Sequence, residues 1–201
     1  MENSKVKTIG ILTSGGDAPG MNAAIRAATR RAIWKGIKVK GILKGYDGLI
    51  HNEIRDLNGR DVSEIVRRGG TILYSARCMD MHTEEGLERA VKTCRDNGID
   101  GLVCIGGDGT FRGAIALSRR GINTIGVPGT IDLDIACTEY TIGFDSACNT
   151  AMEAIDKVLD TSTSHERISI IEVMGRNAGY IALWCGIAVG AEDILLPEIY
   201  A

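Results

Sequence analysis

The sequence predicts an α/β protein built on a doubly wound, mostly parallel sheet, and three observations predict it. Short apolar runs alternate with longer segments of helical periodicity. Some runs are apolar nearly throughout, as in Gly101-Leu102-Val103-Cys104-Ile105, and glycine clusters fall where such a run gives way to a helical segment. Strands alternating with helices imply right-handed crossovers between parallel strands. Continuous apolar strands fit a sheet covered on both faces. Glycine supplies 26 of the 201 residues, about twice the usual ~7%. Its placement in discrete turns suggests backbone brought close to a ligand.

Taken in order, apolar runs bounded by turns predict strands at Thr8–Thr13, Val39–Leu43, Leu102–Ile105, Thr124–Val127 and Ile168–Val173, with a weaker candidate at Asp193–Leu196. Helical patterns lie near Met21–Lys35, Ser63–Arg67, Glu84–Asn97, Phe111–Arg120, Asp145–Leu159 and Ala178–Val189. A new strand–helix series begins around Glu139–Phe144. It stops at Pro197-Glu198-Ile199-Tyr200-Ala201, so the second domain is expected to be incomplete.

Composition narrows the function classes. A net charge of -3 gives no reason to expect nucleic acid or an anionic membrane as partner. Aromatic residues are only 4% of the chain, too few for base-stacking platforms. The longest uncharged stretch, Gly179–Ala191, is too short to span a bilayer. The N-terminal MENSKVKTIG lacks the apolar core of a signal peptide, so a cytoplasmic location is expected. Six cysteines (Cys78, Cys94, Cys104, Cys137, Cys148 and Cys185) show no metal-binding spacing and read as reduced thiols. Three scattered histidines form no zinc motif. Metal, if bound, is expected on carboxylates and phosphates.

Three turns carry chemistry. The first strand runs into Thr13-Ser14-Gly15-Gly16-Asp17-Ala18-Pro19-Gly20-Met21-Asn22. Glycines there expose backbone N–H groups, and the helix start adds a positive dipole end for phosphate. A Gly-Gly turn alone also suits a plain strand-to-helix connection. The second turn, Ile105-Gly106-Gly107-Asp108-Gly109-Thr110, allows a phosphate chain against the backbone with Asp108 holding Mg2+. The alternative is an aspartate capping the next helix. The third, Pro128-Gly129-Thr130-Ile131-Asp132-Leu133-Asp134, places two carboxylates two residues apart. On extended backbone they point to the same side. Such a pair after a glycine-bearing strand end suits phosphoryl transfer, where one acid accepts a hydroxyl proton and the other supports the metal; the spacing alone equally fits a plain loop with two exposed acids.

These three strings resemble the ATP-dependent phosphofructokinases of bacterial type. So do Arg68-Gly69-Gly70-Thr71, Ser75-Ala76-Arg77, Tyr140-Thr141-Ile142-Gly143-Phe144, Ser164-His165-Glu166-Arg167-Ile168-Ser169 and Glu172-Val173-Met174-Gly175-Arg176, in order from about Thr8 to Pro197. The resemblance implies a phosphofructokinase-like three-layer sandwich, with an ATP-binding domain over residues 1–139. Residues 140–201 would begin a sugar-phosphate and effector domain.

It further implies a glycolytic kinase that phosphorylates fructose 6-phosphate from ATP with Mg2+. ATP would be held by Gly16, Tyr46, Arg77, Cys78, Gly107, Asp108, Gly109 and Thr110. Asp108 would be a metal ligand, and Asp134 would support the metal region. Asp132 would be the general base, with Thr130 and Arg176 as its catalytic companions. The sugar phosphate would meet Thr130, Ile131, Asp132, Met174, Gly175 and Arg176, with Arg167 reaching into a neighbouring subunit's site in a homotetramer. An effector site for ADP or phosphoenolpyruvate would use Arg26, Arg30, Arg60, Gly190, Ala191 and Glu192. Arg26 and Arg30 share a helix face, which equally suits an exposed basic surface.

Glycine at 109 and 129 would leave room for ATP, where pyrophosphate-using relatives tend to carry an acid and a lysine. Two departures stand out: Leu133 replaces the asparagine of the usual T-I-D-N-D, and Leu159 replaces a basic effector residue. Two other classes remain open. One is a non-catalytic nucleotide-binding or regulatory module; the other is a kinase for another acceptor such as NAD or a lipid. The Thr-Ile-Asp-x-Asp and Met-Gly-Arg strings argue against the second.

Overall fold

Apolar, β-branched runs such as TIGILTS and GLVCIG fold as strands because both of their faces find cover. The computed structural model describes residues 6–136 and 138–200; the N-terminal residues 1–5, Cys137 and Ala201 lie outside the described residues. The chain forms two units, Met1–Gly129 and Thr130–Ala201. The division falls before the Glu139–Phe144 region expected from sequence. Thr141 explains part of this, since its hydroxyl donates to the Thr130 carbonyl (2.7 Å) and ties the intervening loop to the second unit.

The first unit runs β1 (Thr8–Ser14), α1 (Met21–Trp34), β2 (Lys38–Ile42), α2 (Gly45–Ile50), β3 (Ile54–Leu57), a short 3-10 turn at Asp80–His82, α3 (Glu84–Asp96), β4 (Gly101–Gly106), α4 (Asp108–Ser118) and β5 (Asn123–Thr130). Its strands lie in the order β3-β2-β1-β4-β5. β1 pairs in parallel with both β2 and β4, and β4 with β5, whereas β3 runs antiparallel to β2. The order reverses between β1 and β4, and beyond the carboxyl ends of such strands lies the ligand crevice of open α/β sheets. Ile11, Leu12 and Ile105 are fully buried in the two central strands. Leu12, Ile42, Leu49, Leu102 and Leu117 join one apolar cluster. β5 departs from the expectation of two covered faces, for Ile125 is 65% exposed.

The second unit comprises β6 (Ile142–Gly143), α5 (Phe144–Ser164), α6 (Tyr180–Val189) and α7 (Pro197–Tyr200). Phe144, Cys148, Ile155, Ile181 and Cys185 pack α5 on α6. The Phe144 ring meets Trp184 edge to face, 6.0 Å between centroids. The five described cysteines are free thiols. No described helix is long and apolar enough to cross a membrane.

Three expected elements are absent. Ser63–Arg67 forms turns rather than a helix. Five residues repay little of the cost of helix nucleation, and Glu64 has φ 58°. Ile168–Val173 and Asp193–Leu196 adopt no strand. A strand exists only through pairing, and no described strand pairs with either; Ile168 and Ile170 are 96% and 92% exposed. Elements not expected from sequence are β3, α2 and the Asp80–His82 turn in the first unit and α7 in the second. β3 alternates weakly and sits at the edge, and α2 is short and glycine-rich, opening on left-handed Lys44 and Gly45.

The start of the sheet is tied electrostatically. The Asp100 carboxylate accepts from the backbone N–H groups of Lys7 (2.7 Å) and Thr8 (2.9 Å), and these two bonds hold its pKa below the ordinary value. Such a carboxylate stabilises the fold above its unfolded pKa of ~3.9, and that stabilisation is lost as pH falls through the lower folded value. Asp100→Ala should therefore cost about 1 kcal/mol at pH 7 after solvent screening. In chemical denaturation the gap to wild type should close in acid; a gap that persisted there would remove the carboxylate from the explanation.

Candidate active site

The parallel register of β1 and β4 brings Ser14 opposite Gly106, so the two glycine turns leave the sheet side by side. A clasp joins them. The Thr110 hydroxyl donates to the Ser14 carbonyl (2.9 Å), and the buried Tyr46 hydroxyl donates to the Thr110 carbonyl (2.6 Å). Glycine is required at 106, because a Cβ there would lie 2.6 Å from the Ser14 carbonyl oxygen and collide with Thr110. Gly113 likewise lies flat against the Tyr46 ring. Thr110 and Tyr46 thus support the turn from beneath, 4% and 3% exposed. Burial, above all, pushes the Tyr46 phenol far upward, so it acts as a neutral donor.

Above the clasp the surface is open. A Cβ at Gly16 or Gly109 would meet nothing within 4 Å. α4 begins at Asp108 with Gly107 as N-cap and no side chain capping it. Its first amides and dipole therefore face that opening. Gly129 is closely packed: a Cβ there would stand 3.0 Å from the Ile105 side chain. The Asp108 carboxylate is half exposed and pairs with Arg112 Nη2 (2.8 Å). Arg112, one turn further along α4, is not among the residues the motifs single out, although its i,i+4 spacing from Asp108 is plain in the sequence.

Segment 68–78 is bound to the first turn by polar contacts. Buried Asn22 donates to the Arg68 and Gly69 carbonyls and accepts from the Ile72 N–H. Thr13 donates to the Tyr74 carbonyl and Ser75 to the Gly15 carbonyl. Arg77 at the end of this segment is exposed and Cys78 half-buried. Burial raises the Cys78 thiol pKa, which disfavours the thiolate. Gly16 thus lies on the first turn, Arg77 and Cys78 on or just beyond the segment bound to it, and Gly107, Asp108 and Gly109 on the second turn.

In the second unit the two acids do not stand on extended backbone. Leu133 between them has φ 56°, which costs a leucine about 1–2 kcal/mol, so the same-side argument fails. The Asp132 N–H donates to the Thr130 hydroxyl (3.2 Å). Asp132 is half-buried and Asp134 exposed. Burial raises the Asp132 pKa, nearby Asp134 adds to the rise, and Arg176 opposes it. The loop of Met174, Gly175 and Arg176 is strained in the same way: Arg176 has φ 55° and Gly175 φ 146°. A Cβ at Gly175 would collide with the Ala178 carbonyl. Ile131 packs on the α5–α6 cluster, Met174 is 75% exposed, and Arg167 is exposed after the end of α5.

The residues expected at the effector site are placed as follows. Arg26 donates to the Val62 carbonyl (2.8 Å), next to exposed Arg60. Arg30 lines a shallow depression with Ile33, Trp34 and Gly59. Gly190 ends α6 in left-handed conformation, and exposed Ala191 and Glu192 follow it. Leu159 is 38% exposed on α5.

Among the described residues no group of three His, Cys, Asp or Glu side chains could hold a metal ion. A divalent ion at Asp108 would therefore rely on water and phosphate for its remaining ligands. That set suits Mg2+, which keeps several waters and takes one or two carboxylates.

The chain is 63% identical over 195 residues to an ATP-dependent 6-phosphofructokinase of Thermoanaerobacter sp. (strain X514), a match covering 96% of this chain and 61% of the relative. It is 61% identical over 193 residues to the enzyme of the same name from Clostridium botulinum (strain Hall), covering 96% and 60%. It thus spans about three fifths of the length of these curated relatives. Phosphofructokinase from Saccharomyces cerevisiae superposes with a TM-score of 0.88 at 37% identity, covering 96% of this chain and 29% of that one. A pyrophosphate-dependent phosphofructokinase from Marinobacter aquaeolei gives 0.76 at 27%, covering 96% and 53%. The family profile described as phosphofructokinase matches residues 8–201, and this chain belongs to the phosphofructokinase family.

Proposed function

We propose that this chain carries the donor site and the catalytic base of an ATP-dependent 6-phosphofructokinase, which converts fructose 6-phosphate to fructose 1,6-bisphosphate in glycolysis. The observation that carries the reading is half-buried Asp132 beside Asp134 and Arg176, in a chain so similar to enzymes of that name. Burial makes a carboxylate a better proton acceptor, and a nearby arginine suits a transfer in which charge spreads over phosphoryl oxygens.

Asp132 takes the proton of the sugar 1-hydroxyl as that oxygen forms its bond to the γ-phosphorus of ATP. The bond from that phosphorus to the β–γ bridging oxygen breaks, and its electron pair leaves on ADP. Arg176 stabilises the charge on the transferred group, and the Thr130 hydroxyl orients the Asp132 backbone. Gly16 and the first turn of α4 offer N–H groups to the phosphate chain, with Arg77, Cys78 and Tyr46-supported Thr110 beside the nucleotide. Asp108 would hold Mg2+, with Asp134 in support, and the bound ion supplies positive charge to the phosphate oxygens. Ile131, Met174 and Gly175 line the sugar-phosphate side.

The rest of the reading follows the same resemblance. The working enzyme is a cytoplasmic homotetramer in which Arg167 serves a neighbouring subunit's site. ADP or phosphoenolpyruvate binds at Arg26, Arg30, Arg60 and 190–192. The open space at Gly109 supports ATP rather than pyrophosphate as donor.

Two measurements test this. Asp132→Asn should leave ATP binding intact while lowering turnover at least ~100-fold, read as ADP release from Mg-ATP with and without fructose 6-phosphate. Sugar-dependent release that survived the substitution would sink Asp132 as base, and nucleotide binding without any turnover would favour a regulatory module. Gly109→Asp fits without steric conflict, so the melting temperature should hold while ATP affinity falls about tenfold or more from like-charge repulsion. Unchanged affinity would place the phosphate chain elsewhere.

A further inference from the structure

The acidic loop contains a residue whose backbone and side chain make opposite demands. Among the described non-glycine residues with positive φ (Lys44, Asn52, Glu64, Tyr74, Leu133, Glu166 and Arg176), Leu133 is the one with an aliphatic hydrocarbon side chain. Left-handed backbone brings Cβ against the following carbonyl and offers leucine no local hydrogen bond in return, unlike asparagine. Such a conformation persists only where the surroundings over-determine it. Here they do so through packing: the Leu133 side chain, with that of Ile131, rests against the cluster formed by Phe144, Cys148, Ile155, Ile181 and Cys185.

The consequence falls on the flanking acids. An extended residue at 133 would present both carboxylates to one side and one environment. With the left-handed turn, Asp132 is half-buried while Asp134 stands in solvent. The loop is held on its other side by polar contacts, Asp132 N–H to Thr130 and Thr141 to the Thr130 carbonyl. Leu133 has no hydrogen-bond partner among the described residues, and its apolar contact is what holds the turn there.

We propose that Leu133 is a positioning residue: by seating its side chain on the α5–α6 cluster it locks the left-handed turn that gives Asp132 and Asp134 different surroundings. The proposal rests on Asp132 being the base, and it adds how that acid is set apart from its neighbour.

The test compares Leu133→Gly with Leu133→Met. Glycine accepts the left-handed backbone freely but has no anchor, whereas methionine keeps an unbranched apolar anchor of similar volume. In Leu133→Gly, deuterium uptake by the 130–136 segment should quicken about tenfold or more, with α5 and α6 exchanging as in wild type. Turnover with fructose 6-phosphate should fall about tenfold, with KM for ATP within about twofold. Leu133→Met should restore both. Uptake in Leu133→Gly equal to wild type would overturn the anchor, and faster uptake with unchanged kcat would overturn the positioning role. Asp132→Asn is run alongside: if it kept its turnover, the base assignment would fall, while the exchange comparison, which needs no turnover, would still decide whether Leu133 holds the loop.

Discussion

The first unit depends on one interaction, the bond from the Thr110 hydroxyl to the Ser14 carbonyl. It joins residues 96 apart in sequence and closes the end of the β1–β4 pair where the strand order reverses. The turns that follow β1 and β4 are held side by side by that contact. Gly106 must lack a side chain for Thr110 to reach Ser14. Tyr46 then holds the Thr110 carbonyl from below, and Gly113 leaves space for the Tyr46 ring. A buried polar pair of this kind is costly if one partner is lost, because the other is left unsatisfied. The glycines of the motif therefore divide into two groups. Gly106 and Gly113 are required by packing beneath the surface, whereas Gly16 and Gly109 border open space, where a ligand's phosphates can approach the backbone.

The second unit reaches its arrangement by a different physical route. Polar networks are sparse at its acidic loop, and strained backbone takes their place: Leu133 and Arg176 lie in left-handed conformation, with Gly175 between φ limits open to glycine alone. Strain of this order is retained where surrounding contacts over-determine it and clusters where a site must be preorganised. Hydrophobic packing of α5 on α6 supplies the restoring force. The same packing half-buries Asp132, whose pKa rises through burial first and through Asp134 second.

Most of the first unit was legible because its signals are local and mutually consistent. Apolar strands end in glycine turns, and periodic helices such as Glu84–Asp96 carry their own cap at Thr83. The elements missed there were those that depend on tertiary pairing. β3 becomes a strand only because β2 offers it an edge, and α2 exists because left-handed Lys44 and Gly45 turn the chain into it. In the second unit, Ile168–Val173 shows the converse. Its β-branched residues satisfy the local criteria for a strand, yet no described strand pairs with it and it stays irregular and mostly exposed. Propensity describes how well a residue fits a pleated surface, not whether a partner is present.

The site residues divide along the same line. Positions such as Asp108, Asp132 and Arg176 could be nominated from motif and spacing, since carboxylates and arginines at turn ends suit phosphoryl transfer. What holds them could not. Asn22 looks like an ordinary helix residue, but its amide binds three backbone groups of segment 68–72. Thr110 reads as a ligand contact, but its hydroxyl is engaged within the protein. Leu133 reads as a lost polar group between two acids, whereas its backbone angle and apolar contacts give it a positive role. In each case the missing information is the direction of a side chain relative to a distant element, and no local pattern encodes that. Residue type and spacing thus nominate candidates for the chemistry, and the residues that fix their geometry emerge only once the chain is folded.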